Sequence, residues 1–200
     1  LKFYSNNSKI NSVIHFAGLK SVSESVSMPL SYWSMNVCGS VSLFKVMNSF
    51  DCNEIVFSST ANVYDPSFKN KLNEKAPLKP INPYGQSKLT VEKILQDLYE
   101  SNPNKWKIAI LRYFNPIGAH FTGEIGEDPI FYPSNLFPLL NYVGLKKISF
   151  LQIFGNDWPT RDGTGIRDFI HVMDLSRAHL AALNYIKKNK PQIDIFNIGT

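Results

Sequence analysis

The chain has 200 residues, 44% of them hydrophobic and 13% aromatic, enough for one sizeable core, which places it among globular soluble proteins. No apolar run approaches the roughly 20 residues that span a bilayer, and Leu1-Lys-Phe-Tyr-Ser-Asn-Asn7 lacks the layout of a signal peptide, so a cytoplasmic location is expected. The net charge of +5 comes from scattered lysines rather than a basic stripe, which argues against nucleic acid and suits an anionic small molecule.

In chain order, Ser12-Val-Ile-His-Phe16 predicts a buried strand running into a loop at Ala17-Gly18. Met28-Pro29 opens a helix to about Ser49, Pro being suited to a first helical turn. Cys38 and Cys52 show no C-x-x-C spacing and are expected to be reduced packing residues. Ile55-Val-Phe57 is the next strand, with Ser58-Ser-Thr60 at its C-terminal end. Asn82 reads as an N-cap and Pro83 as the first residue of a helix to about Glu100. Lys107 to Arg112 is a third strand. This alternation predicts βαβ units and a parallel sheet, whose ligands sit beyond the C-terminal strand ends, where Ala17-Gly18, Ser58 to Thr60 and Tyr113-Phe114-Asn115 fall.

From Pro116 to about Asp168 the composition shifts to Gly, Pro and aromatics, which predicts a smaller lobe. Val172 to about Lys188 returns to helix and Ile195 to Ile198 to strand. The fold class is α/β, a partial Rossmann-type parallel sheet with a small substrate-binding lobe: 1–115 in the sheet domain, 116–170 in the lobe, 171–200 returning to the sheet.

Tyr84 and Lys88 are four apart on one helix, so their side chains share a face. A phenol has a pKa near 10, and a neighbouring ammonium is expected to lower it, giving a base that exchanges a proton with a hydroxyl. Thr60 could hydrogen-bond the same hydroxyl. The other half of carbinol oxidation is hydride transfer, which no side chain performs and a nicotinamide does. The spacing recurs at Tyr142/Lys146, but there Gly144 interrupts the span and no hydroxyl-ended strand precedes it, so a surface helix is expected. His15, His120, His171 and His179 lack triad or metal spacing and are read as structural; no metal is predicted. Asp162, Asp168 and Asp174 are read as turn and cap residues. Arg167, beside a Gly-rich turn, suits a bidentate grip on phosphate or a salt bridge.

Several longer stretches carry a resemblance. They are Val13 to Lys20, Phe57 to Ala61, Asn82 to Lys88, Leu111 to Pro116, Gly118 to His120, Ile125 to Pro129, Ile153 to Asn156 and Asp162 to Leu175. The chain resembles the extended short-chain dehydrogenase/reductase superfamily and, within it, the UDP-glucose (UDP-galactose) 4-epimerases of galactose metabolism. The resemblance implies NAD as cofactor, UDP-glucose and UDP-galactose as substrates, and a homodimer built on helices within 28–49 and 83–100. Tyr84 would take the proton from the sugar 4-hydroxyl while hydride passes from C4 to NAD; Lys88 would lower the Tyr84 pKa and hold the nicotinamide ribose. Thr60 stands where the family usually has Ser. NAD contacts would come from Phe16, Ala17, Gly18, Lys20, Asn36, Ser58, Ser59, Tyr84, Lys88, Tyr113 and Phe114. Substrate contacts would come from Lys20, Thr60, Ala61, Asn62, Tyr84, Asn115, Ser134, Asn135, Leu136, Gln152, Ile153, Phe154 and Arg167.

Three positions depart from the family pattern: Asn62 for Thr, Asp65 for Gly and Phe169 for Tyr. At Asp65 only a local change is expected, because Asp tolerates the left-handed conformation that a Gly can signal. The family's glycine-rich phosphate loop is expected before Leu1 and its C-terminal part after Thr200, so the chain reads as a central fragment, inactive alone. Two alternatives stand beside the epimerase: a nucleotide-sugar 4,6-dehydratase or decarboxylase, disfavoured by Ala61-Asn62 where dehydratases carry an acidic pair, and a non-catalytic truncated remnant.

Overall fold

The computed structural model describes residues 9–127, 133 and 135–200. Strands β1 (Ser12–His15), β2 (Glu54–Thr60), β3 (Lys107–Tyr113) and β6 (Gln192–Ile198) form one parallel sheet in the order β1-β2-β3-β6. Successive side chains of a strand point to opposite faces, and here both faces are covered, so the central strands read as continuous apolar runs. Ile55, Phe57, Ile108 and Ile110 pack on one face with Phe44, Met47, Val91, Leu95 and Trp106. Val56, Ala109 and Leu111 pack on the other with Ala182 and Ile186. The first face is covered by α3 (Gly39–Ser49) and α4 (Pro83–Ser101), the second by α6 (Val172–Lys188).

The predicted helix from Met28 begins at Pro29, but it is not regular: α2 (Pro29–Tyr32) passes into a π-helical stretch, Trp33–Cys38, before α3. A short helix that sequence reasoning missed, α1 (Val22–Ser27), precedes it. Its Val/Ser-rich sequence has weak helix propensity. It is held by the Ser21 side chain, which accepts from the Glu24 amide at 3.3 Å, and by the Tyr32 hydroxyl, which donates to Glu24 at 2.7 Å. Helix α4 starts as predicted, with Pro83 in its first turn and Asn82 Oδ1 accepting from the Gly85 amide at 2.8 Å.

The chain divides into two compact units, 1–113 with 177–198, and 114–176 with 199–200. The second contains the parallel pair β4 (Asn115–Ile117) and β5 (Phe169–His171) and helix α5 (Leu136–Gly144). Cys52 lies in the core of the first unit, whereas Cys38 is exposed on its π-helical turn and is not a packing residue; both thiols are free. At Asp65 the backbone is not left-handed, and its carboxylate accepts from the Ser67 amide at 2.8 Å, closing a turn by side-chain bonding. Among the described residues no helix is long and apolar enough to cross a membrane.

Candidate active site

Strand β2 and helix α4 bring Thr60, Tyr84 and Lys88 together in the first unit. Register places Thr60 beside Tyr113 at the C-terminal ends of β2 and β3. The Thr60 hydroxyl oxygen accepts from the Asn62 amide at 3.2 Å and from Asn62 Nδ2 at 3.1 Å, capping the single 3-10 turn Ala61–Val63. Its side chain also lies close enough to Tyr84 to hold the phenol's pKa down in part. The α4 N-terminus lies tight against this turn: a Cβ on Gly85 would come 2.5 Å from the Asn62 carbonyl oxygen.

Lys88 lies one turn further along α4, 5% exposed, and its ammonium donates to the Ser58 carbonyl at 2.9 Å over the Phe57 ring. Burial lowers its pKa to about 8, because the charged form is poorly solvated there. The expected lowering of the Tyr84 pKa by this ammonium is absent. Burial dominates and raises the phenol, partly offset by the Thr60 hydrogen bond. The pair is therefore held in place but not yet charged for proton abstraction; a further positive charge beside it would favour the phenolate.

The π-helical turn directs Asn36 inward. Its Oδ1 accepts from the Leu19 amide at 2.7 Å, and its Nδ2 donates to the Leu19 carbonyl at 3.1 Å and to Ser87 Oγ at 3.0 Å. Asn36 thus ties the loop after β1 to the N-terminal turns of α4. That loop presents Phe16, Ala17, Gly18 and Lys20 as exposed residues. Gly18 has φ +154°, and a Cβ there would come 2.9 Å from Asn36 Oδ1 and 3.6 Å from Lys88 Nζ. Such a close backbone approach, beside a buried ammonium, suits a nicotinamide nucleotide laid across the strand ends. Ser58 and Tyr113 belong to the same edge: the Tyr113 hydroxyl donates to Ser58 Oγ and lies 3.0 Å from His179 Nε2, and burial raises the Tyr113 phenol.

Ser59 faces the other way. Its hydroxyl donates to Glu92 Oε1, which belongs to a buried network that sequence reasoning missed. Arg112 grips Glu92 through Nε at 3.1 Å and Nη2 at 2.6 Å, and its Nη1 donates to the Tyr64 hydroxyl at 3.0 Å and the Glu74 carbonyl at 3.1 Å. The available signal was an arginine inside an apolar strand, and a carboxylate at the next four-residue step after Tyr84 and Lys88.

Within the second unit, the amide and side chain of Asn115 both donate to the Asp168 carbonyl at 3.0 Å, which sets the start of β4 beside β5. Phe114 lies close to Gly199. Asn135 precedes α5 and is exposed with Leu136. Gln152, Ile153 and Phe154 form an exposed run, with Phe154 87% accessible. The Arg167 guanidinium donates to the Ile166 carbonyl at 2.8 Å and is otherwise presented outward. Ser134 lies outside the described residues. Asp162 closes a turn on Thr164 at 2.9 Å and Asp168 accepts from the Thr200 amide at 3.1 Å, whereas Asp174 stands in the first turn of α6. The Tyr142/Lys146 pair does not form the site geometry: Lys146 follows the end of α5 with φ 56°, and it is Lys147 that lies over the Tyr142 ring.

Residues 1–199 match the model of the NAD dependent epimerase/dehydratase family. The UDP-glucose 4-epimerase of Bacillus subtilis (strain 168) is 48% identical over 192 residues, covering 96% of this chain and 56% of that protein. UDP-glucose 4-epimerase 2 of Arabidopsis thaliana is 46% identical over 195 residues, covering 98% of this chain and 55% of the relative. The solved structure of UDP-glucose 4-epimerase from Bifidobacterium longum in complex with NAD+ and UDP superimposes with a TM-score of 0.91 at 44% identity, covering 100% of this chain and 58% of that one. The chain thus spans little more than half the length of these relatives. With a parallel sheet, a Tyr-Lys pair on the helix after a hydroxyl-ended strand, and a family match along nearly its whole length, the chain belongs to the NAD dependent epimerase/dehydratase family.

Proposed function

We propose that the protein carrying this chain is a UDP-glucose/UDP-galactose 4-epimerase that uses NAD. The observation that carries the reading is the convergence of Tyr84, Thr60 and Lys88 at the C-terminal end of β2 and the N-terminal end of α4, in a chain 48% identical to a UDP-glucose 4-epimerase. NAD, when bound, supplies the hydride acceptor and a positive ring. Phe16, Ala17, Gly18, Lys20, Asn36, Ser58, Ser59, Tyr113 and Phe114 are assigned to its site, with Lys88 holding its ribose and Ser59 and Asn36 acting from behind through Glu92 and Ser87.

Thr60 and Tyr84 then hold the sugar 4-hydroxyl between them. Tyr84 takes the proton from that oxygen during oxidation and returns it during reduction. Because burial keeps the phenol protonated, abstraction requires the added positive charge that the cofactor brings. Asn115, Asn135, Leu136, Gln152, Ile153, Phe154 and Arg167 are assigned to the UDP moiety, with Ala61, Asn62 and Lys20 near the sugar and Ser134 beside Asn135. The solved complex of the B. longum enzyme with NAD+ and UDP supports this class of ligand. A cytoplasmic setting accords with the two free thiols, and a homodimer through α3 and α4 accords with the groove of about 350 Å³ between them, lined by Val41, Phe44, Ile94 and Leu98.

The test is interconversion of UDP-galactose and UDP-glucose by the natural gene product. Tyr84→Phe should abolish it while leaving the unfolding midpoint within error, since the ring and its packing remain. Undiminished turnover in that variant would remove Tyr84 from the mechanism.

A further inference from the structure

Residues 65–81 connect the two elements that carry the reacting groups: the Thr60 turn precedes them and Tyr84, on α4, follows. This excursion contains no helix or strand. Its base is closed by a bridge between Tyr64 and Leu78, with the Asp65 amide donating to the Pro77 carbonyl at 2.8 Å and the Lys79 amide to the Val63 carbonyl at 3.1 Å. Its far side is held by β6, a strand that carries none of the reacting groups. Asn197 meets it three times: the amide donates to Glu74 Oε1 at 2.8 Å, Nδ2 donates to the Leu72 carbonyl at 3.2 Å, and Oδ1 accepts from the Tyr64 hydroxyl at 2.5 Å. The direction of this chain is fixed at both ends. Arg112 Nη1, 3.0 Å from the Tyr64 oxygen, can only donate, and the Leu72 carbonyl can only accept. The single Tyr64 proton therefore goes to Asn197 Oδ1, and turning the amide over would set Oδ1 against the Leu72 carbonyl oxygen. Arg112 Nη1 also donates to the Glu74 carbonyl at 3.1 Å, while Nε and Nη2 hold Glu92 of α4.

We propose that Tyr64 and Asn197 are positioning residues: the chain from Arg112 through Tyr64 and Asn197 to Leu72 fastens the 65–81 excursion to β6 and, through Arg112, to α4, and so sets the spacing between Thr60 and Tyr84. Without it the two elements are joined only at the base of a long loop. Proton exchange between a phenol and a bound hydroxyl falls steeply with displacement, about a hundredfold for 1 Å, so an anchor that touches neither reacting group governs the rate. Burial raises the Tyr64 phenol above its usual range, so the hydroxyl keeps the proton that the chain requires. The effect on turnover rests on the epimerase reading; the anchoring of the excursion does not.

Two measurements on the natural gene product test the assignment. The first, backbone hydrogen exchange, requires no activity. In Tyr64→Phe the Asp65 and Lys79 amides should exchange about tenfold faster, the scale of one lost hydrogen bond, while the Val56 and Ala109 amides of the central strands stay as slow as in the parent. Unchanged exchange at Asp65 and Lys79 would overturn the anchor. The second is turnover measured well below the unfolding midpoint. Tyr64→Phe and Asn197→Ala should each lower kcat about tenfold and leave KM for UDP-galactose within about twofold. A merely structural role would lower the midpoint and leave kcat of the folded protein intact, and that result would overturn the proposal. The double variant should be no slower than Asn197→Ala, because the Tyr64 hydroxyl reaches the excursion through that amide; multiplied losses would overturn it. Asn197→Asp keeps the acceptor for Tyr64 and loses the donor to Leu72, so it should be as slow as Asn197→Ala. Parental kcat in Asn197→Asp would overturn the chain by showing that the Leu72 bond is dispensable. If Asn197→Ala does not fold, Tyr64→Phe and Asn197→Asp carry the same comparison. An inactive wild type refutes the epimerase reading and leaves hydrogen exchange to decide the anchor.

Discussion

Replacing Glu92 with Gln should be among the most damaging single changes outside the reacting groups. Its side chain is 4% exposed and that of Arg112 1%, and the two are joined by bonds of 3.1 and 2.6 Å. Glutamine keeps one oxygen for Ser59 or Arg112 Nε, but it sets an N–H₂ against Nη2 and leaves the buried guanidinium without a counter-charge, beside neutral groups such as the Tyr64 hydroxyl, the Tyr64 ring and the Glu74 carbonyl. Removing one member of a buried pair costs about 3–5 kcal/mol, chiefly because the other charge remains desolvated. Arg112→Met should cost a similar amount by stranding the carboxylate. Glu92→Leu with Arg112→Met removes both charges and should cost less than either single change, since apolar replacement of a whole buried pair is often neutral. Urea unfolding followed by the fluorescence of buried Trp106 measures all three. If the double loss equals the sum of the single losses within about 0.5 kcal/mol, the pair is not coupled and this account of the network fails.

Lys88 gives a prediction in alkaline solution. Its folded pKa of about 8 lies below the ordinary 10.5, so between these values the unfolded chain binds the extra proton and stability rises with pH. The rise attributable to Lys88 is on the order of 3 kcal/mol at most, and it should vanish from the difference curve of Lys88→Met; an unchanged slope would show that the ammonium is solvated. His15 acts in acid: burial, reinforced by Lys88, lowers its pKa to about 4 from 6.5, so stability should fall as pH drops through that window and fall less in His15→Gln. Identical acid titrations of the two proteins would refute the burial argument. Gly85→Ala would place a methyl 2.5 Å from the Asn62 carbonyl oxygen, so α4 must shift at its first turn. The expected outcome is about 1–3 kcal/mol of lost stability together with reduced turnover, and a crystal structure with α4 unmoved would contradict it.

The amino-acid sequence by itself determined the order of strands and helices, because a sheet buried on both faces requires unbroken apolar runs such as Ile55-Val-Phe57 and Ile108-Ala-Ile-Leu111. It also determined the start of α4, where Asn82 and Pro83 act locally, and hence the shared face of Tyr84 and Lys88. Helix α1 and the π-helical turn at Asn36 were not legible, since both are held by contacts that outweigh weak local propensity. The partners of the polar groups were decided by tertiary structure alone. Lys88 reaches back 30 residues to the Ser58 carbonyl rather than to Tyr84, Arg112 finds Glu92 at a separation of 20, and Tyr113 finds His179 at 66. Spacing along a helix can place a phenol and an amine on one face, but their protonation depends on desolvation and on donors supplied by other strands. For that reason the sequence put Tyr84 and Lys88 on one face, and only the fold showed that burial raises the Tyr84 phenol while Lys88 is turned toward the backbone.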